Sequence, residues 1–163
     1  INSDYDSHYT QDSSQFLPDN EALLGITRQL SSLDLFAAMK VRAWALRELE
    51  RVFQDVDVIA LPTTGMTAPA ISKGCGRFGE TNARQGSVIM RFAFPANFVG
   101  LPTITIPAGV DTLGLPIGFQ LIAWHWREHL LLRVANELEA AGLSEQARPQ
   151  AYFGDEIRGI LNA

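Results

Sequence analysis

Two histidines four residues apart, one cysteine between glycines, and a serine beside a lysine are the groups in this chain that could do chemistry. His125 and His129 have a helical spacing that can seat a metal. No glutamate follows His125 as in a His-Glu-x-x-His site, however, and no third ligand is apparent, so they read as surface or half-buried histidines. Cys75 lies between Gly74 and Gly76. A nucleophilic thiol needs an activating neighbour, and the plainer reading is a loop thiol that nothing activates. Ser72 and Lys73 are adjacent, so their side chains diverge, and neither a Ser-x-x-Lys pair nor a Gly-x-Ser-x-Gly elbow occurs. Gly74, Gly76 and Gly79 have the spacing of a dinucleotide-binding turn, but no strand runs directly into them and no clear helix follows. Trp124, His125 and Trp126 form an aromatic edge that reads as core packing rather than base stacking. The residues alone hold no complete catalytic set and no metal site.

Composition narrows the classes further. The chain has 163 residues, 47% of them hydrophobic, which is the size and balance of one globular domain. A net charge of -5, with 13 scattered Lys and Arg, argues against a nucleic-acid partner, which usually leaves a basic footprint. No apolar run approaches the roughly 18 residues of a membrane span. The single cysteine makes an internal disulfide impossible and favours, without settling, the cell interior. The chain opens on Ile1 with a polar, acidic start unlike a signal peptide, as a piece of a longer protein would.

The elements that must position any site follow from periodicity. Residues 1 to 20 read as loop or extended lead-in, with turn formers at Pro18, Asp19 and Asn20. Leu35, Phe36, Met39, Ala43, Leu46, Leu49 and Phe53 make one apolar helical stripe over about 32 to 54, with Ser31 and Asp34 as its capping pair. The run at 56 to 62 predicts a short strand buried on both faces. Residues 63 to 85, rich in Gly, Pro and Thr, predict a long loop, and 86 to 94 a helix broken by Pro95. Thr103 to Ile106 and Ile117 to Ile122 alternate sharply and predict two strands joined by a hairpin. A last helix is predicted from Arg127 to Ala141, with Leu131, Val134, Leu138 and Ala141 inward and Gly142 as its stop. The order of elements describes an α/β layer structure.

Three stretches in this order carry a resemblance: "DVIALPTTGMTAP" at 57 to 69, "MRFAFPANFVGLPTITIPAG" at 90 to 109 and "GLPIGFQLIAWHWREHLLLRVANELE" at 114 to 139. Together they resemble the C-terminal part of the amidase signature family, over roughly Leu33 to Ala141. The resemblance implies the C-terminal part of an α/β/α sandwich with a mixed sheet. It divides the chain into a motif-free lead-in at 1 to 30, a family-like region at 31 to 141 and a tail at 142 to 163. The family hydrolyses amides with a Ser–cis-Ser–Lys triad, whose glycine- and serine-rich segment is missing here, so no catalytic residue is assigned. The stretch at 62 to 69, Gly79 to Asn82 and Met90 to Phe92 is similar to the plant-type fatty acid amide hydrolase branch. Two positions depart: Ala123 stands where the family usually has glycine, and His125 where the plant branch tends to have proline.

The resemblance implies a small-molecule amide substrate and no cofactor, and it leaves membrane association and a homodimer of the full-length protein open. Amidotransferase A subunits commonly carry an Asp where Met90 stands; an apolar residue there disfavours glutamine and suits an acyl chain. Met66, Thr67, Met90 and Phe92 are the candidate substrate-binding residues, ordinary packing being the alternative for each. The two Gly-Leu-Pro triplets, at 100 to 102 and 114 to 116, read as scaffold turns, and Asn97 as a tie for loop backbone. The competing readings are a non-catalytic binding module with half the fold and a glutamine-dependent amidotransferase A subunit. The isolated 163 residues are expected to be inactive, so a fluorophosphonate probe should label none of their serines; labelling at any of them would contradict this.

Overall fold

A computed structural model describes residues 16–73, 75–80 and 82–143. The expectations for residues 1 to 15 and for the tail beyond 143 lie outside the described residues. In chain order the elements are α1 (Pro18–Thr27), α2 (Ser32–Asp55), β1 (Val58–Pro62), α3 (Cys75–Phe78), α4 (Ala83–Ile89), α5 (Ala93–Val99), β2 (Thr103–Val110), β3 (Pro116–Ala123) and α6 (Glu128–Ala140). No described helix is long and apolar enough to cross a membrane.

The sheet has the order β1-β3-β2, and both pairings are antiparallel, so no parallel pair of the expected mixed sheet occurs among the described residues. β3 is the middle strand, and its alternation sends successive side chains to opposite faces. Ile122 packs with Ala96, Val99 and Leu101, and Leu46, Leu49 and Phe53 of α2 close over that face. Leu121 and Ala123 pack with Leu131 of α6 on the other, joined by Val134 and Leu138. The result is three layers, helix on sheet on helix. Each fully buried Leu or Ile side chain in these clusters contributes about 2 kcal/mol relative to leaving it in water.

The capping pair of α2 is present in both directions. The Asp34 amide donates to Ser31 Oγ at 3.3 Å, and the Ser31 amide donates to Asp34 Oδ2 at 2.8 Å. The stripe of α2 is only half used. Leu46, Leu49 and Phe53 join the core, whereas Leu35, Phe36 and Met39 are exposed, left uncovered by the described residues. Leu33 is exposed there as well, and so is Trp44 one turn on.

Several expectations are corrected. Residues 18 to 20 open α1 rather than a loop: Pro18 sits at the first helical position, where its missing N–H is no loss, and Asp19 and Glu21 favour the positive end of the helix dipole. Pro95 does not break a helix at 86 to 94. The chain bends at Met90–Phe92 between α4 and α5, and Pro95 lies in the first turn of α5, where a proline is tolerated. The loop over 63 to 85 is interrupted by α3 and ends where Asn82 caps α4, its Oδ1 accepting from the Gln85 amide at 3.0 Å. Among the described residues β1 is an edge strand, and it is not buried on both faces: Ala60 and Pro62 are exposed. Ala141 is exposed instead of inward, because α6 ends one residue earlier, while Leu130 is buried. Asn97 stands exposed on α5 and ties no loop backbone among the described residues.

One long-range contact fixes α2 against α5. The last carbonyls of a helix have no partner within it. Arg42 supplies one: its Nε donates to the Phe98 carbonyl at 2.8 Å and an Nη to the Val99 carbonyl at 2.9 Å. Gly100 closes the same helix end with φ +82, a conformation glycine adopts without steric cost. Pro102 then leads into β2 and Pro116 opens β3. Arg42→Met keeps the stem and removes both bonds, so urea unfolding should show a loss of about 2 kcal/mol; a midpoint unchanged from the parent protein would show that the clamp carries no stability.

Candidate functional site

The site is built where β1 ends and β3 begins. The Thr63 amide donates to the Gly118 carbonyl at 2.9 Å, extending the ladder one step past Pro62. The chain then turns. Thr64 Oγ1 donates to the Met66 carbonyl at 2.8 Å, and the Gly65 amide reaches the Ile89 carbonyl of α4 at 3.4 Å. A Cβ at Gly65 would be driven into the Val88 carbonyl oxygen, so the loop can lie on α4 only with glycine there. Gly118 has a similar role: its bare Cα lets Thr63 and Thr105 close over it.

These contacts leave a cleft of about 220 Å³ lined by Pro62, Thr64, Gly65, Met66, Thr67, Phe92, Pro116, Ile117 and Gly118. Three of the four expected binding residues, Met66, Thr67 and Phe92, are thereby brought together. Met90 is not among the lining residues; it caps α4 at the bend and is exposed. The lining contains no carboxylate, imidazole, amine or thiol, so the cleft can hold an apolar group and offer hydroxyls but can move no proton near neutral pH.

Thr67 is not free within that wall. Its Oγ1 donates to Asp111 Oδ2 at 2.7 Å, and Asp111 Oδ1 accepts from the Leu113 and Leu115 amides at 2.8 and 2.9 Å. One carboxylate therefore caps the β2–β3 turn and ties it to the loop after β1. Asp111 is no candidate from sequence, although an Asp opening a short Gly-containing turn is the usual sign of a side chain bonding to backbone two residues on.

The remaining candidates fall elsewhere. Cys75 is half-buried at the start of α3. His125 packs edge-on against Trp124, ring centroids 4.9 Å apart, and no group of three His, Cys, Asp or Glu that could hold a metal occurs among the described residues. Trp124 packs on Phe53 at 5.5 Å, as core packing requires. Trp126 does not: it is 88% exposed with φ +63, because the chain must turn sharply between β3 and α6. A second cleft, of about 210 Å³, is lined by Glu50, Asp57, Arg127, Trp124 and their neighbours and contains none of the expected binding residues.

The Thr67 hydroxyl bond, then the Leu115 and Leu113 amides, hold the Asp111 carboxyl below the ordinary aspartate value of 3.8, outweighing the opposing effect of burial. A carboxyl whose pKa is lowered on folding stabilises the fold above its unfolded value and loses that contribution as pH falls through the folded one. The Leu113 and Leu115 amide resonances of the folded protein should therefore titrate with a midpoint below 3.8. A midpoint above that value would contradict the bonding described.

Known proteins resemble this chain in sequence and in fold. The family model described as Amidase matches residues 14–132. A fatty acid amide hydrolase of Oryza sativa subsp. indica is 39% identical over 161 residues, 98% of this chain and 26% of that protein. A glutamyl-tRNA(Gln) amidotransferase A subunit from Synechococcus sp. (strain WH7803) is 40% identical over 116 residues, 71% of this chain and 23% of that protein. A crystal structure of an amidase superposes with a TM-score of 0.72 at 21% identity, over 84% of this chain and 31% of that one, a likeness of fold. The chain spans about a quarter of the length of the curated relatives it matches. On the family match over most of its length, the chain belongs to the amidase family.

Proposed function

We propose that this chain is the C-terminal portion of an amidase domain whose complete protein hydrolyses apolar, fatty acyl amides, and that the cleft of Met66, Thr67 and Phe92 is wall for the acyl chain. The nucleophilic serine, the bridging serine and the lysine lie outside this chain. In the complete enzyme the serine attacks the amide carbonyl, the lysine accepts its proton through the bridging serine, and backbone amides hold the oxyanion. The observation that carries the reading is the cleft itself: apolar and hydroxyl side chains with no charged group among them. The 39% identity to a plant fatty acid amide hydrolase over nearly the whole chain supports the same substrate class.

The amidotransferase reading rests on the 40% identity to the cyanobacterial protein. Glutamine carries an ammonium and a carboxylate, and burying either without a partner is costly. The cleft provides no such partner. The binding-module reading fares worse, because the first three turns of α2 expose Leu33, Leu35, Phe36 and Met39, and apolar surface of that extent calls for a covering partner.

The test is hydrolysis by the complete protein of acyl amides of increasing chain length, beside glutamine. The expected result is a kcat/KM that rises with chain length, and a loss of about tenfold for the long amides in Phe92→Ala, as truncation of one buried aromatic contact gives. Ammonia release from glutamine without acyl amide hydrolysis would overturn the reading.

A further inference from the structure

The cleft draws its lining from distant parts of the chain, and one side-chain bond ties Thr67 of that lining to the β2–β3 turn. Met66 and Thr67 stand on the loop after β1; Pro116 and Ile117 stand at the start of β3. Between Thr67 and Asp111, 44 residues apart, runs the 2.7 Å hydroxyl–carboxylate bond. The same carboxylate accepts the Leu113 and Leu115 amides, and the Asp111 amide donates to the Leu115 carbonyl at 2.9 Å, so the residue is itself rigidly held. A hydrogen bond to an ionised acceptor is roughly twice as strong as a neutral one, and a fixed acceptor fixes its donor. Elsewhere the loop is held at Thr63, whose amide donates to the Gly118 carbonyl at 2.9 Å and whose Oγ1 donates to Thr105 Oγ1 at 3.4 Å, and by backbone contact with α4 through Gly65. Asp111 does not line the cleft.

We propose that Asp111 is a positioning residue: acting through Thr67, it holds the loop of residues 63 to 67 against the β2–β3 turn, and so sets the width of the cleft and the acyl groups it admits. The inference rests on the cleft being the acyl wall. With the bond gone, the loop keeps its contacts at Thr63 and Gly65 but its Met66–Thr67 end is free to swing from the β2–β3 turn, and a wall out of place weakens ground-state and transition-state binding of a long chain alike. That is a KM effect.

The experiment uses the complete protein with Asp111→Ala, Asp111→Asn, Thr67→Val and the double variant. It reads kcat and KM for long and short acyl amides and amide hydrogen exchange across residues 64 to 67. Asp111→Ala and Thr67→Val should each raise KM for the long amides about tenfold with kcat changed less than about twofold, and speed exchange in the loop but not in β3. The double variant should be no worse than Asp111→Ala alone, since that substitution already removes the bond that Thr67→Val removes. Asp111→Asn, which can accept from both leucine amides and donate to Thr67 Oγ1, should recover most of the KM. Additive effects, or faster loop exchange with KM unchanged, would overturn the proposal. If Asp111→Ala does not fold, Thr67→Val leaves the hairpin's own bonds intact and decides alone. If the parent protein hydrolyses no acyl amide, the substrate reading fails first; unchanged loop exchange in Thr67→Val then overturns the positioning role too, and faster exchange sustains it.

Discussion

The structure depends on β3 being buried from both sides. It is the one described strand with a neighbour along each edge, and its alternate residues belong to different cores: Ile122 to the side of α2 and α5, Leu121 and Ala123 to the side of α6. A shift of register by one residue would exchange those two sets, so the pairings Ala60↔Leu121 and Ile104↔Leu121 are specified by burial as well as by hydrogen bonds. The helices are then placed by what they cover. α5 is held at its C-terminus by Arg42, which ties it to α2. The first three turns of α2, apolar and exposed, and the Gln120 Oε1, buried on the α2 side without a donor among the described residues, accord with a domain whose further polypeptide covers this face.

The cleft follows from the same constraint. Because β1 and β3 run antiparallel, the end of one and the start of the other lie side by side, and the loop leaving β1 must cross the mouth of the hairpin. Gly65 and Gly118 allow the close approaches this requires, and Asp111 ties Thr67 of the lining to the β2–β3 turn. The division of labour between this chain and the rest of the domain is chemical: the cleft has shape and apolar surface, whereas nucleophile and base are proposed to come from elsewhere.

Much of this is legible in the residues, and the exceptions share a cause. The strands and the hairpin are readable because both faces of β3 are buried, which gives alternation its meaning at Leu121 and Ile122. The α2 boundaries are readable because Ser31 and Asp34 cap it locally. α1 escapes a reading of the sequence although Pro18 and two acids mark its start, since a proline followed by Asp and Asn reads equally as a turn. Pro95 misleads because the same residue ends one helix or begins another, and only the tertiary bend at Met90–Phe92 decides. Trp126 and the exposed turns of α2 read as core in the sequence because apolar periodicity shows that a face should be covered, not by what. Of the binding candidates, the motif brings Met66, Thr67 and Phe92 to one cleft and leaves Met90 outside it; Asp111, which no motif marks, is visible only through its partner across 44 residues.

Whether the loop at 63 to 67, Phe92 and the start of β3 touch the acyl chain is tested most directly by photo-crosslinking. The complete protein would be irradiated with a long-chain amide carrying a diazirine near the end of its acyl chain, and the adduct mapped by mass spectrometry. The expected result is an adduct on Met66, Phe92 or Ile117 that an excess of unlabelled acyl amide suppresses. Adducts confined to segments outside this chain, equally suppressed by that competitor, would contradict an acyl wall here.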